Sequence, residues 1–259
     1  MPVGEPEKLI LYGTDLSQVR ALLQSESELT RSRGKPCRAV STLLRMNKIP
    51  FEYKTIMPGS KKDGGSKSET YVKSVNPNGK VPALQDGDFV LFESNAIMQY
   101  IAEKYKLTQV WPADDIKKRA LVAQWMHWHH TASREISIGI FAPLVRPDLA
   151  RAFTPDFLAQ KRAAVKGAIK TLDNQLGKTP YLTGSTMTLA DLCVFQEVGQ
   201  FSPTGHGLKG YDLTPYPNLV QWLQRMEAQP CYNESWEMVA QLKPVFESAA
   251  EATKIQANL

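Results

Sequence analysis

The sequence is poor in cysteine and histidine. Its three cysteines, Cys37, Cys193 and Cys231, lie far apart and form no CxxC pair. An odd number of widely spaced cysteines does not build a disulfide framework and is typical of a reducing compartment. The chain has four histidines. His127 and His130 are spaced i, i+3, but no carboxylate or cysteine accompanies them at ligand spacing, so no metal site is predicted.

Neither sign of charge dominates, and long apolar runs are missing. The 31 basic and 26 acidic residues are interspersed and give a net charge of +5, so no basic stripe for nucleic acid is present. No segment reaches the length of a membrane span, and the first residues are too acidic for a secretory signal. These absences predict a cytoplasmic protein that binds neither nucleic acid nor membrane. With 259 residues and 42% apolar content, the chain can bury one large core or two ordinary ones.

The most informative segment is NPNGKVPAL at residues 76–84. Val81 precedes Pro82, and this position forces Val81 into an extended conformation. Because proline cannot donate to a sheet ladder, the backbone N–H and C=O of Val81 stay free for another peptide. The Val81–Pro82 bond can also be cis at modest cost. The segment therefore predicts a strand edge that is open to an extended peptide.

A helix start follows this edge. After the turn Asp86-Gly87-Asp88 and the apolar residues 89–92, Ser94 is a good N-cap for a helix with apolar residues at helical spacing. The free amides and dipole of such a start hold a carboxylate. Each feature alone is common, as a strand entry or an ordinary cap. Together they predict a site for a peptide with a free carboxylate, such as glutathione.

This combination resembles the glutathione site of cytosolic glutathione transferases (GSTs), with the theta class as the closest match. Six segments occur in the order of that class: LILYGTDLSQ at 9–18, PCRAV at 36–40, NPNGKVPALQDGDF at 76–89, ESNAI at 93–97, QWMHWHHTASR at 124–134 and YLTGSTMTLADL at 181–192. The resemblance implies the GST fold, in which an α/β thioredoxin-like N-terminal domain precedes an all-α C-terminal domain. It also implies a homodimer and thiol chemistry on glutathione, a co-substrate that needs no other cofactor.

Periodicity and turn residues predict the same organisation. We expect a thioredoxin-like domain at 1–107, a linker at 108–115 and an all-helical domain at 116–259. The elements predicted in the first domain are a strand at 9–12, a helix at 36–47, a strand at 51–56, a hairpin of 81–84 with 89–92, and a helix from Ser94 to near Lys106. The polar run at 58–68 predicts a mobile loop beside the site. Thr188 and Asp191 fit a capping box, which serves folding.

Glutathione chemistry needs a group that keeps the sulfur as a thiolate, because a free thiol has a pKa of about 8.5. Theta-class enzymes place a serine directly before a PCRAV-like sequence. Here 17 extra residues, 19–35, separate Ser17-Gln18 from Pro36. Ser17 keeps the family spacing from the first strand, and Ser32 keeps the nearness to the helix in SRGKPCR, which resembles the SRGR-type turn of bacterial transferases. The insertion forms either a closed loop or a helix that carries Ser17 away. Ser17, Ser32 and neither serine all stay open.

Matching positions imply a set of glutathione-binding residues: Lys67, Lys80, Val81, Pro82, Glu93 and Ser94. In the family these positions divide the ligand among them. The pair 93–94 holds the γ-glutamyl end, Val81 pairs with the cysteinyl backbone, and the two lysines approach the glycyl carboxylate. Lys67 stands where theta proteins often have histidine, which makes this contact a departure from the family.

Arg134 falls where some theta-class enzymes place an arginine that faces the thiolate and the electrophile. Its alternative is an ordinary surface arginine. The sequence thus predicts a theta-like glutathione transferase that attacks small hydrophobic electrophiles or reduces organic hydroperoxides. Two alternatives remain: a non-catalytic module of the same fold for assembly or ligand carriage, and a thioltransferase that uses Cys37. A cysteine after proline on an amphipathic helix is more often a buried small hydrophobe.

Overall fold

The computed structural model describes residues 8–14, 34–141, 153–202 and 212–236. The chain divides into two compact units, Met1–Lys104 and Tyr105–Leu259. Residues 15–33 lie outside the described part. They include the candidate serines Ser17 and Ser32 and most of the segment 19–35.

The first unit is built on a four-stranded mixed sheet. Its elements are β1 (Leu9–Gly13), α1 (Lys35–Met46), β2 (Phe51–Thr55), α2 (Glu69–Ser74), β3 (Ala83–Asp86), β4 (Phe89–Phe92) and α3 (Ser94–Lys104). The strand order is β2-β1-β3-β4. β1 pairs parallel with β2, whereas β1 with β3 and β3 with β4 are antiparallel. This arrangement confirms the predicted thioredoxin-like fold. The short helix α2 was not predicted.

The core of this unit lies between the sheet and the helices α1 and α3. The predicted apolar face of α1 is confirmed, because Val40, Leu43 and Leu44 are fully buried. Ile97 and Ile101 of α3 are buried in the same way, and α1 and α3 contact each other. Helical spacing put these residues on one face, and burial of that face fixes both helices on the sheet.

The segment at 58–68, predicted as a mobile loop, folds into a turn that is held by hydrogen bonds. Met57 pairs with Gly65 in an isolated bridge, and the Ser66 N–H donates to the Met57 carbonyl at 2.9 Å. Ser66 is buried, and its hydroxyl accepts from the Gly59 N–H at 2.8 Å. A Cβ on Gly65 would lie 2.2 Å from the Ser60 carbonyl oxygen. The glycines thus permit a tight turn here, where composition alone indicated flexibility.

Side-chain hydrogen bonds connect the β3–β4 hairpin to α3. Tyr100 and Lys104 of α3 both hydrogen-bond to the Asp86 carboxylate. Burial raises the pKa of Asp86, but the hydrogen bonds from Lys104 and Tyr100 outweigh it, so the pKa lies below its ordinary value.

The regular elements described in the second unit are helical, as predicted. They are α4 (Ile116–Thr131), a π-helical segment (Ser137–Phe141), α5 (Pro155–Leu176), α6 (Leu189–Val198), a 3₁₀ turn (Gly199–Phe201) and α7 (Pro217–Glu227). Among the residues of known placement, no helix has both the length and the apolar character for a transmembrane span.

The buried helix α6 begins with the capping box that the sequence predicted. The Thr188 N–H donates to Asp191 Oδ2 at 2.9 Å. The second oxygen of this fully buried carboxylate accepts from the Leu182 N–H and from Trp222 Nε1, each at 2.9 Å. Burial raises the pKa of Asp191, against the effect of these hydrogen bonds. The box therefore joins three parts of the unit as well as capping a helix.

Candidate active site

Val81 lies at an open end of the sheet. The Val81–Pro82 peptide bond is cis. Strand β3 begins only at Ala83, which pairs with Tyr12 and Phe92, so the predicted strand start at Val81 was wrong by two residues. Pro82 has no N–H with which to extend the ladder. Within the described part of the chain, the backbone N–H and C=O of Val81 form no hydrogen bond.

The hairpin brings Val81 and the start of α3 to the same end of the sheet. Gly87, with φ at 58°, lies in the turn between Asp86 and Phe89, which are paired. Val81 and Ser94 each lie two residues beyond the last pair of this ladder. The open peptide edge and the helix N-terminus are therefore neighbours, as the sequence predicted.

The helix begins one residue earlier than expected. α3 starts at Ser94, and the Ile97 N–H donates to the Glu93 carbonyl at 2.9 Å. Ser94 is thus the first helical residue, and its prediction as N-cap was wrong. Glu93 has φ at 71°, which turns the chain directly from β4 into the helix. Neither the Glu93 nor the Ser94 side chain forms a hydrogen bond with a described residue. Left-handed non-glycine residues are uncommon and cluster at ligand sites.

Lys67 reaches the turn that contains Lys80 and precedes Val81. Lys67 Nζ donates to the Asn78 carbonyl at 2.8 Å, and both lysine side chains are exposed. Gly79 has φ at 58°, and a Cβ there would lie 2.6 Å from Lys67 Cδ. Glycine at this position thus permits both the turn and the close approach of Lys67. The Lys67 ammonium group therefore lies at the turn that precedes the open edge.

Two further residues, Tyr71 and Asn76, were not assigned to the site by the sequence. The Lys80 carbonyl accepts from the Tyr71 hydroxyl at 2.8 Å and from Asn76 Nδ2 at 2.9 Å. Asn76 Oδ1 also accepts from the Asn78 N–H at 3.0 Å. The Asn-Pro-Asn-Gly sequence is a signal for such an Asx turn. No sequence signal connects Tyr71, on the unpredicted helix α2, with this turn.

The side chains of Tyr12 and Cys37 are both buried in the core. The Tyr12 hydroxyl donates to Gln85 Oε1 at 2.6 Å. Cys37 is 1% exposed, and burial raises the pKa of its thiol to about 11. A Cβ on Gly34 would lie 2.5 Å from the Cys37 sulfur. Since the thiolate is the reactive form, these features favour Cys37 as a small hydrophobe over a nucleophile.

The ends of the segment at 15–33 lie side by side. Thr14, the residue directly after β1, is buried, and a Cβ on Gly34 would lie 3.7 Å from Thr14 Cβ. The chain therefore leaves and re-enters the unit at one place. Lengthening a segment with fixed ends costs closure entropy that grows only slowly, so an insertion here is compatible with an intact fold. Both candidate serines stay predictions.

Arg134 follows α4 in the second unit and is held by a buried carboxylate. Its Nη1 lies 3.0 Å from Glu197 Oε1. The Glu197 side chain is 0% exposed and also accepts from the Ser137 hydroxyl, whereas the Arg134 side chain is 42% exposed. Arg134 is thus anchored through Nη1 to a buried carboxylate, unlike an ordinary surface arginine. Its expected catalytic role stays a prediction.

Comparisons with known proteins agree with this geometry. A family model described as "Glutathione S-transferase, N-terminal domain" matches residues 29–109. A second model, "Glutathione S-transferase, C-terminal domain", matches residues 155–225. Glutathione S-transferase theta-3 of Mus musculus is 35% identical, over 81% of this chain and 86% of that protein. Glutathione S-transferase theta-1 of Homo sapiens is 33% identical, over 81% and 87%.

Solved structures give the same result. Human glutathione transferase theta-2, in complex with glutathione and an unknown ligand, has a TM-score of 0.70 and 29% identity, over 95% of this chain and 91% of that one. An epsilon-class glutathione S-transferase of the housefly Musca domestica has a TM-score of 0.71 and 26% identity, over 93% and 98%. The chain therefore belongs to the glutathione S-transferase family, and the relatives named above as theta-1, theta-2 and theta-3 are members of its theta class.

Proposed function

We propose that this protein is a theta-like glutathione transferase, which activates the glutathione thiol and joins it to small hydrophobic electrophiles. The observation that carries the proposal is the open backbone of Val81 beside the N-terminus of α3. An extended peptide gains two main-chain hydrogen bonds at such an edge. The neighbouring helix start offers free amides to its carboxylate.

Bound glutathione would run along this end of the sheet in a defined orientation. Val81, ahead of Pro82, pairs with the cysteinyl backbone. Glu93 and Ser94 hold the γ-glutamyl end, where the glutamate carboxylate faces the helix N-terminus. Lys67, whose ammonium group lies at the preceding turn, and the exposed Lys80 attract the glycyl carboxylate. Each of these exposed charge pairs contributes little to the affinity. No metal takes part in this scheme, and glutathione is the co-substrate.

The reaction is a nucleophilic displacement. The thiolate sulfur attacks the electrophilic carbon, a C–S bond forms, and the leaving group departs with its electron pair. A serine hydroxyl, from Ser17 or Ser32, stabilises the thiolate by donating a hydrogen bond to it. Arg134 supplies positive charge for the leaving group or the electrophile. The buried thiol of Cys37 takes no part.

We also propose that the protein forms a two-fold homodimer in a reducing compartment, such as the cytoplasm. The family resemblance supports the dimer, which would have an isologous interface. The three cysteines are all free, which suits a compartment where glutathione is in its thiol form. Sedimentation at micromolar concentration tests the dimer, and a monomer would contradict it.

Binding to immobilised glutathione tests the site. The double variant Glu93→Ala with Ser94→Ala should weaken retention and leave the fold intact. The matched control is Glu69→Ala with Ser74→Ala, which changes the same residue types at exposed positions of α2. Equal retention of the site variant and the wild type would refute the assignment.

Thiolate absorbance in the ultraviolet then tests activation. Glutathione added to the wild type should produce this absorbance near neutral pH, and the sulfonate analogue should not. Retention on glutathione without thiolate absorbance would instead identify the protein as a non-catalytic binding module of the same fold.

A further inference from the structure

In the peptide group between Lys80 and Val81, the carbonyl accepts two hydrogen bonds, whereas the N–H has no partner among the described residues. Its carbonyl accepts from the Tyr71 hydroxyl at 2.8 Å and from Asn76 Nδ2 at 2.9 Å. Both donors are buried, with Tyr71 4% and Asn76 2% exposed. The N–H of the same peptide group belongs to Val81, and within the described residues it has no partner.

Peptide planarity couples the two halves. The C=O and N–H of a trans peptide point in opposite directions in one plane. The Lys80–Val81 bond is trans, because the only cis bond recorded for the described residues is Val81–Pro82. Two donors that fix the Lys80 carbonyl therefore also fix the direction of the Val81 N–H. That direction is away from Tyr71 and Asn76.

The donors are themselves held in place. The Tyr71 ring packs edge-on against Tyr12, with ring centroids 6.1 Å apart. The Tyr71 N–H donates to the Ser68 side chain, which caps α2. The Asn76 N–H donates to the Tyr71 carbonyl at 3.0 Å. Burial raises the pKa of Tyr71, so its hydroxyl stays protonated and can donate at any physiological pH.

We propose that Tyr71 and Asn76 are positioning residues, which aim the Val81 N–H at the carbonyl of a bound peptide. The inference rests on the proposed function, since it concerns the same ligand edge. It assigns to the unpredicted helix α2 a role in ligand selection. A ligand with a carbonyl at the cysteinyl position benefits from the aimed N–H, and a ligand without that carbonyl does not.

The test compares two ligands by calorimetry with Tyr71→Phe. This variant deletes one oxygen and keeps the ring against Tyr12. S-methylglutathione carries the cysteinyl carbonyl, and γ-glutamyl-S-methylcysteamine lacks it. Loss of one neutral hydrogen bond corresponds to about a two- to tenfold change in affinity. We expect S-methylglutathione to bind roughly fivefold more weakly to Tyr71→Phe, at the middle of that range, and the cysteamine ligand to bind as it does to the wild type.

The control is Tyr100→Phe, which removes a hydroxyl that bonds Asp86 in the same unit. It should change neither affinity. Steady-state kinetics give a second readout: Tyr71→Phe should raise KM for glutathione about fivefold and leave KM for the electrophile unchanged. Equal losses for both ligands, no loss for S-methylglutathione, or the same loss with Tyr100→Phe would overturn the inference. A wild type that binds neither ligand would overturn the proposed function itself.

Discussion

Replacing Arg134 with methionine removes a charged partner of the fully buried Glu197 carboxylate. Methionine keeps much of the aliphatic volume, so the main change is the loss of the guanidinium charge and its donors. Glu197 would stay buried, with the Ser137 hydroxyl still donating to it, but without the guanidinium that offsets its desolvation. We therefore expect Arg134→Met to destabilise the second unit, whatever its effect on the reaction.

The structure sets the size of this effect. Breaking a buried ion pair from one side costs roughly 3–5 kcal/mol. Two unit charges about 4 Å apart, at an effective dielectric constant of about 20, interact with about 4 kcal/mol. Glu197 is 0% exposed but Arg134 is 42% exposed, and solvent screens the pair from that side. We therefore expect Arg134→Met to lower the free energy of unfolding by about 2 kcal/mol.

The same change in a Glu197→Gln background separates the ion pair from other contacts. Glutamine keeps the shape and a hydrogen-bond acceptor but removes the buried charge. In that background Arg134→Met should cost about 0.5 kcal/mol, as expected for an exposed side chain. The coupling in this double-mutant cycle is then about 1.5 kcal/mol.

Tryptophan fluorescence in urea is the assay, because all five tryptophans lie in the second unit: Trp111, Trp125, Trp128, Trp222 and Trp236. A shift of the midpoint at constant slope measures the change in stability of that unit. Equal costs of Arg134→Met in both backgrounds would refute the ion-pair argument. Turnover is compared under conditions where all four proteins are folded. A loss of kcat/KM with Arg134→Met in both backgrounds would indicate a role in the reaction beyond the pairing.

Three further predictions concern the first unit. If Ser17 donates to the thiolate, Ser17→Ala should raise the thiol pKa of bound glutathione by about one unit or more, and Ser32→Ala should not. Titration of the thiolate absorbance shows which serine acts. An unchanged thiol pKa in both variants would exclude both serines. The pKa of Asp86 is lowered in the folded state, so its stabilising contribution is present above the unfolded pKa of about 3.9 and is lost as the pH falls through the folded pKa. Asp86→Asn should therefore flatten the acid side of the stability curve, and an unchanged curve would contradict this assignment. Cys37→Ala should leave turnover unchanged, and the native Cys37 thiol should resist alkylation at pH 8 because its pKa is about 11; modification of the folded protein at this residue, detected by mass spectrometry, would count against it.

Local stereochemistry explains why much of the fold was predictable. Pro82 lacks an N–H, so the sheet ladder has to stop near it. Gly87 accepts the positive φ of a hairpin turn. Thr188 and Asp191 have the spacing of a capping box. Each of these constraints acts within a few residues and is therefore visible in the sequence without knowledge of the packing. The resemblance to a known family joined these local predictions into one order of domains.

The start of α3 shows where local reasoning stops. Serine is a good N-cap by preference, and Ser94 was predicted as one. The position of the helix is fixed by the pairing of β3 with β4 and by burial of Ile97 and Ile101. These constraints put the left-handed turn at Glu93 and the first helical residue at Ser94. Packing over the whole face outweighs a preference at a single position.

The sequence by itself determined the strands, the helices α1 and α3, the start of α6 and the place where a peptide edge meets a helix start, because these depend on side-chain periodicity and on neighbouring residues. Only the tertiary structure decided which remote groups meet. Tyr71 reaches the Lys80 carbonyl from a helix that was not predicted, and Arg134 meets Glu197 across 63 positions of the chain. Such pairs carry no periodicity and no shared motif. They form because burial of polar groups forces each one to find a partner, and the packing of the elements determines which partner is within reach.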